Sequence, residues 1–298
     1  MTGHQYITQV LSDNEFDEKD RPAIEDRRNK IQQAIEKEFG SKIQTIKYSG
    51  SISKATATKT SHDIDIAIHF KRDAFETLKG MFDATYDLLK RHYKTARQQR
   101  VSIGLPGQNV DVVPGRRVNP DDTSDNDVFL YVTDNDGRIK TNIEKQKSAV
   151  TASGVRDVIK VIKIWRDRWD RKFKSFALEL LVMKALKTFD GKGMDNKVRE
   201  VLEYIKDNIA SCVLEDPGNS NNDVAESIGK ADKAILKATA RECLGYLDEA
   251  DPDDEDDMEN AWRKVFKDEP VKSGTKKSSR VVFPTKDYRS QPDRRHGF

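Results

Sequence analysis

The stretch Gly50–Phe70, GSISKATATKTSHDIDIAIHF, constrains this 298-residue chain more than any other. Its second half alternates, with Ile64, Ile66 and Ile68 apolar and Asp63 and Asp65 between or beside them. Side chains two apart on a strand share a face. The spacing therefore predicts a strand with an apolar side for a core and two carboxylates together on the other side. Carboxylates forced together repel unless a cation lies between them. The usual partner is a hard divalent ion such as Mg²⁺, which takes oxygen ligands and keeps phosphates as co-ligands. Upstream, Gly50 allows close backbone approach, and backbone N–H groups with the Ser51 hydroxyl can hold a phosphate. Together these features predict a nucleotidyl-transfer site, with a Mg²⁺-nucleotide held between a Gly-Ser turn and an acidic strand.

A third carboxylate follows in Asn109–Gly115, NVDVVPG. Val110, Val112 and Val113 predict a short strand, closed by Pro114-Gly115, from which Asp111 projects. Asp111 reads either as a strand-end aspartate beside a turn or as a third metal ligand. Three carboxylates on adjacent strands can hold two Mg²⁺ ions, one activating the attacking hydroxyl and one neutralising the triphosphate and its leaving group. In that arrangement Asp63 and Asp65 bridge both ions. Asp111 serves the hydroxyl-activating ion and helps take the proton. His62 falls on the strand face opposite Asp63, and His69 is several residues along, so both are expected to be structural.

The rest of the chain changes texture near residue 140. Before it, helical periodicity runs over Arg21–Phe39, with Gly40 as the stop, and again over Asp73–Tyr93. Strands are predicted over Lys42–Tyr48, His62–Phe70, Arg97–Leu105, Asn109–Val113 and Asp127–Val132, with a turn at Asn135-Asp136-Gly137. Residues 1–13 read as a loose leader and 51–60 as a short helix or loop. After it, helices are expected over Val155–Trp169, Phe176–Phe189, Val198–Ala210 and Val224–Leu247, the second being apolar almost all round and so buried. The fold expected is α/β plus α: a nucleotidyltransferase-like domain with a mixed sheet over 1–140, including an N-terminal helix, then a helical bundle over 141–270. The cleft between them is the default site. Residues 271–298 read as a flexible basic tail, and Asp251–Asp257, DPDDEDD, as a solvated loop. Lys163, at the edge of an apolar helix stripe, and Ser175, opening the buried helix, read plainly as a surface lysine and an N-cap. Beside a real acidic triad they would suit the β- and γ-phosphates of a nucleotide.

Charge narrows the partners little. Lys and Arg number 53 against 51 Asp and Glu, a net charge of +2, which does not demand nucleic acid. The two cysteines, Cys212 and Cys243, are isolated, which argues against structural zinc and fits a reducing, cytoplasmic compartment. No signal-peptide core is apparent, and no apolar run approaches the roughly 20 residues that span a bilayer.

These residues carry a family likeness. GS, then DID in an apolar strand, then VDVVP, resembles the polymerase-beta-like nucleotidyltransferase superfamily. KIWRDRWDRKFKSFALELLVMKAL, EDPGNSNNDVA at Glu215–Ala225 and AWRKVFKDEP at Ala261–Pro270 resemble segments of oligoadenylate synthetases and of the bacterial cGAS/DncV-like nucleotidyltransferases (CD-NTases). The likeness spans residues 20–270. It implies a template-independent synthetase that joins ribonucleoside triphosphates, ATP among them, into a cyclic di- or trinucleotide second messenger with release of pyrophosphate. The setting implied is bacterial anti-phage (CBASS) defence.

By the same resemblance Asp63, Asp65 and Asp111 are the metal triad for two Mg²⁺ ions, with Mn²⁺ as substitute, and Gly50 and Ser51 form the phosphate turn. Lys163 matches the triphosphate lysine of a K-x-W element, and Ser175 matches the residue before the ALE-type helix. The animal zinc-binding insertion is absent, so no stable DNA binding is implied. The tail ending RRHGF suggests a regulatory or conjugating protein partner. Two rival readings stand beside this one: an RNA-tailing enzyme of the CCA- or poly(A)-adding type, and a non-enzymatic nucleotide-binding module.

Overall fold

The computed structural model describes residues 1–122 and 125–270. The tail expected over 271–298 lies outside the described residues. In chain order the elements begin with helix α1 (Gly3–Asp13) and helix α2 (Arg21–Phe39), then strands β1 (Ile43–Ser49) and β2 (Ile64–Phe70) and helix α3 (Leu78–His92). Strands β3 (Arg97–Gln98), β4 (Ile103–Leu105), β5 (Val110–Arg117), β6 (Val128–Val132) and β7 (Gly137–Thr141) follow. Helices α4 (Ile143–Thr151), α5 (Arg156–Arg168), α6 (Ser175–Ala185) and α7 (Met194–Asn208) come next. The hairpin β8 (Glu215–Asp216) and β9 (Asn219–Asp223) precedes α8 (Lys230–Asp248) and α9 (Glu255–Val265).

The first seven strands make one mixed sheet in the order β1-β2-β5-β4-β3, with β6 pairing β5 and β7 pairing β6. β2 and β5 run parallel at its centre, and the other pairs are antiparallel. Ile64, Ile66 and Ile68 of β2 and Val110 and Val112 of β5 face one side, where they are buried with Ile31, Ile35 and Phe39 of α2 and Met81 and Phe82 of α3. Period-2 alternation thus sends the intervening residues, Asp65 and Asp111 among them, to the other side.

A second core lies in the helical half and centres on Ile159, Ile162 and Trp165 of α5 and Leu178, Leu181 and Val182 of α6. α6 buries seven of its residues, as its all-round apolar sequence predicts.

Four expectations need correction. Residues 1–13 are a capped helix, not a loose leader. Thr2 and Gln5 form a capping box, and Tyr6, Ile7, Val10 and Leu11 sit in the helical core. The strand expected over Arg97–Leu105 is a tight hairpin, closed where Gln99 N donates to Ser102 O at 2.8 Å. The strand of Asp111 does not close at Pro114-Gly115 but runs to Arg117. Pro114 falls where the antiparallel neighbour of β5 changes from β4, last paired at Val112, to β6, first paired at Gly115. A residue without an N–H breaks no rung of either of those ladders there. Finally, Asp251–Asp257 is partly the start of α9. The Asp254 carboxylate accepts from the N–H groups of Asp256 and Asp257, and acidic residues fill the first turn, where the helix dipole favours them.

Candidate active site

The phosphate-turn candidate sits at the head of β2. Gly50 has φ +88°, and a Cβ there would lie 2.5 Å from the Asp63 carbonyl oxygen, so only glycine lets the turn close against the acidic strand. Ser51 is 2% exposed, and its hydroxyl donates to the Ser61 and Asp63 carbonyl oxygens at 3.4 Å. Thr56 N donates to Ser51 O at 2.9 Å and fastens the far side of the turn. The segment expected as a short helix or loop is this run of turns.

Asp63 immediately precedes β2, while Asp65 is its second residue and pairs in register with Asp111 on the parallel neighbour β5. Paired residues of a parallel ladder present side chains on the same face, so the three carboxylates share one side of the sheet. Residue 111 is therefore not on the far side of the sheet from 65. Among the described residues, however, no group of three or more His, Cys, Asp or Glu is drawn together closely enough to hold a metal ion as it stands. Gln99 of the β3–β4 hairpin holds one of these carboxylates, its Nε2 donating to Asp111 Oδ1 at 3.1 Å. Gly104, opposite Asp111, leaves the room for it: a Cβ at 104 would lie 2.3 Å from Gln99 Nε2.

The electrostatics are those of crowded carboxylates. Burial and then the neighbouring Asp63 push Asp65 up to about 8, against the pull of Lys54. Burial and Asp63 also raise Asp111, while Gln99 and Arg97 oppose them. Burial works against Asp63 too, but the Ser51 hydroxyl, Lys163 and Lys54 outweigh it and hold Asp63 below the usual carboxylate value. The buried Asp63 Oδ1 has no hydrogen-bond partner. An orphaned carboxylate oxygen in an all-oxygen acidic set fits a hard divalent cation.

Two clefts meet at this strand. One, of about 350 Å³, is lined by Asp63, Asp111, Arg97, Gln99 and Ser175. The other, of about 320 Å³, is lined by Asp65, Lys54, Phe176, Arg100 and Lys174, with Asn222 from the β8–β9 hairpin.

Ser175 thus stands where the sequence suggests, at the mouth of the helical half. It is the first residue of α6 rather than its N-cap, and its hydroxyl accepts from Arg166 Nη1 at 3.1 Å. Lys163 is neither a surface lysine nor open to a phosphate in this structure. It is 0% exposed, with Nζ 2.8 Å from Glu179 Oε1 and 3.0 Å from Thr56 Oγ1. Its ammonium ties α5 to α6 and to the turn behind Ser51. His69 is buried, as its structural reading requires, and His62 is part-buried beside Phe16.

Sequence reasoning missed Lys54, Glu179 and Gln99. Glu179 had a legible signal, a lone acid inside the apolar run FALELLVM, since a charge in a buried helix requires a partner. Lys54 and Gln99 had none beyond their nearness to the motifs.

A parallel strand pair carrying aspartates on one face, headed by a Gly-Ser turn and closed over by helices, defines a nucleotidyltransferase fold of the polymerase-beta-like kind. Residues 1–147 match the family model of the Second Messenger Oligonucleotide or Dinucleotide Synthetase domain, and in this half the chain is similar to the cGAS/DncV-like nucleotidyltransferases. It is 26% identical over 165 residues to a cyclic AMP-AMP-AMP synthase of Escherichia coli (strain MS 115-1), covering 46% of this chain and 49% of that protein. The match thus spans about half the length of that curated relative. Among solved structures, E. coli MS115-1 CdnC in a CdnC:HORMA-deltaN complex aligns with a TM-score of 0.68 at 19% identity, over 88% of this chain and 96% of that one. The Bradyrhizobium diazoefficiens CD-NTase CdnG in complex with GTP aligns with a TM-score of 0.69 at 11% identity, over the same 88% and 96%. These structures share the fold. No helix among the described residues is long and apolar enough to cross a membrane.

Proposed function

We propose that the chain is a cyclic oligonucleotide synthase, joining ribonucleoside triphosphates without a template and releasing pyrophosphate, in cytoplasmic anti-phage signalling of the CBASS kind. The observation that carries this reading is the register of Asp65 with Asp111 beside the Gly50-Ser51 turn. Asp63, Asp65 and Asp111 are the residues that would hold two Mg²⁺ ions, which when bound would lower the pKa of the attacking hydroxyl and neutralise the triphosphate and its departing pyrophosphate. Ser51 and the N–H groups of its turn orient the phosphates. Ser175, at the N-terminus of α6, adds a hydroxyl on the same cleft. In this reading Asp111 helps to take the proton of the acceptor hydroxyl. Its raised pKa in the absence of a cation suits a base whose charge is restored when the site fills.

ATP is the first substrate to test, because the relative of about one-quarter identity is a cyclic AMP-AMP-AMP synthase. A regulatory protein partner is the natural activator to seek, since the similar CdnC is found in a complex with HORMA-deltaN.

The deciding experiment is mass spectrometry of the products formed from the four ribonucleoside triphosphates with Mg²⁺ or Mn²⁺, with and without added RNA. A phosphatase-resistant cyclic product is expected. Labelled RNA with no small product would give the RNA-tailing reading instead. Asp63→Asn and Asp65→Asn should each lower product formation at least a thousandfold, ~4 kcal/mol of transition-state stabilisation, with the fold retained. Unchanged turnover would remove these residues from the chemistry.

A further inference from the structure

Lys54 lies three residues after Ser51, in the phosphate turn, and is almost wholly buried. Its Nζ is 2.9 Å from Glu179 Oε2 and sits over the Phe176 ring, 4.8 Å from the centroid. The other Glu179 oxygen is taken by Lys163, 2.8 Å away, and by the Thr56 hydroxyl at 3.0 Å. Two buried ammonium groups therefore share one carboxylate. Glu179 neutralises one of them, and a buried charge left uncompensated is costly.

Lys163, on α5, is walled in by Thr56 of the turn and Glu179 of α6. Lys54 is the one of the two that opens on the cleft shared with Asp65. On the acidic side the ledger is the mirror image. Among the described residues neither Asp63 nor Asp65 forms an ion pair within 4 Å, and Asp63 Oδ1 lacks any partner.

We propose that Lys54 is the built-in counter-cation of the acidic strand: it balances Asp63 and Asp65 in the ion-free protein, so that divalent ions bind in competition with it. The proposal rests on the proposed function for the identity of the ion site. It makes Lys54 a positioning residue, acting through the carboxylates and through Glu179. One consequence is a site that stays folded when empty without a tightly held ion. A divalent ion then binds strongly only when a triphosphate arrives, because the phosphates supply the negative charge that Lys54 has already offset. A plain structural role, in which Lys54 only clips the turn to α6, is the competing account.

The test uses the full chain freed of metal with EDTA, in four forms: unaltered, Lys54→Met, Asp65→Asn and the double variant. Methionine keeps the unbranched stem over Phe176, and Lys54→Gln serves in its place if the methionine variant does not fold. At about pH 9.5, where Asp65, pushed up to about 8, is ionised beside Lys54, Asp65→Asn should raise Tm by at least ~3 °C more in the Lys54→Met background than with Lys54 present, because only there is the Asp65 charge uncompensated. Equal effects of Asp65→Asn in the two backgrounds would overturn the proposal.

Calorimetric titration with Mn²⁺, without nucleotide, gives an independent readout. Lys54→Met should bind Mn²⁺ at least about fivefold more tightly than the unaltered chain, and Lys54→Arg should stay within about twofold of it. Equal or weaker binding by Lys54→Met would establish the structural clip instead. Mn²⁺ binding that Asp65→Asn leaves unchanged would overturn the metal assignment, and the unfolding cycle, run without metal, then decides Lys54 by itself.

Discussion

At the scale of single residues, Glu179 is the side chain on which most depends. It is 1% exposed and accepts from Lys54, Lys163 and Thr56, which come from the phosphate turn and α5. Glu179→Gln keeps the shape but leaves two buried ammonium groups facing a neutral amide. The expected cost is about 3–5 kcal/mol, read as a lower midpoint in urea unfolding at constant m-value. An unchanged midpoint would show the network to be dispensable.

The same residue gives a pH dependence. Burial opposes its ionisation, but Lys54 and Lys163 outweigh burial and hold its pKa below the ordinary 4.5. A carboxyl whose folded pKa is depressed contributes stability that is complete above the unfolded pKa and fades as pH falls through the folded one. Urea midpoints should therefore fall below about pH 4.5 in the unaltered chain, and fall less steeply in Glu179→Gln. Parallel pH curves for the two would contradict this.

At the scale of elements, the turn at Gly50 and the strand pair β2–β5 act as one unit. Gly50→Ala brings a Cβ to 2.5 Å from a backbone oxygen of Asp63 at φ +88°, a place where neither side can yield cheaply. The strain should be about 1–3 kcal/mol and should move the turn off the strand. Product formation should fall steeply, with KM for the triphosphate rising, while the sheet remains folded by far-ultraviolet circular dichroism. A variant with normal KM would show that the turn does not touch the phosphates.

Much of this unit was legible in the sequence. The alternation in IDIAI and VDVV fixed which residues face the core, and hence that Asp65 and Asp111 look the other way. The length of β5 was not legible, because a Pro-Gly pair ordinarily ends a strand. Only the change of neighbour from β4 to β6 at Pro114 makes a missing N–H harmless to those ladders.

At the scale of the whole molecule, the first helix ties the start of the chain to the helices of its second half. α1 packs on α5, α7 and α9, and Tyr6 donates its hydroxyl to Asp268, which also accepts from Arg168. Deleting residues 1–13 would expose the faces that Tyr6, Ile7, Val10 and Leu11 cover. At ~1.5–3 kcal/mol for each buried large side chain, the loss is comparable to the ~5–15 kcal/mol by which a domain is stable. The shortened chain should aggregate or unfold, as size-exclusion chromatography and circular dichroism would show. A monomeric, folded product would return these residues to the status of a leader.

Local patterning settled what period and turn chemistry can settle: an α/β half followed by a helical half, an apolar strand bearing two aspartates, and a buried α6. Those features depend on neighbours within a few residues, and the alternation survives into the folded state because a one-residue slip would expose a whole apolar face. The fate of Lys163 was of another kind. A lysine at the edge of a helix stripe becomes a phosphate ligand or a buried strut according to what arrives opposite it, and what arrives is Glu179 from the next helix and Thr56 from a turn 107 residues earlier. The tertiary structure alone decided that, and with it the excess of positive charge beside Asp65, because Coulomb partners are chosen by distance in space rather than along the chain.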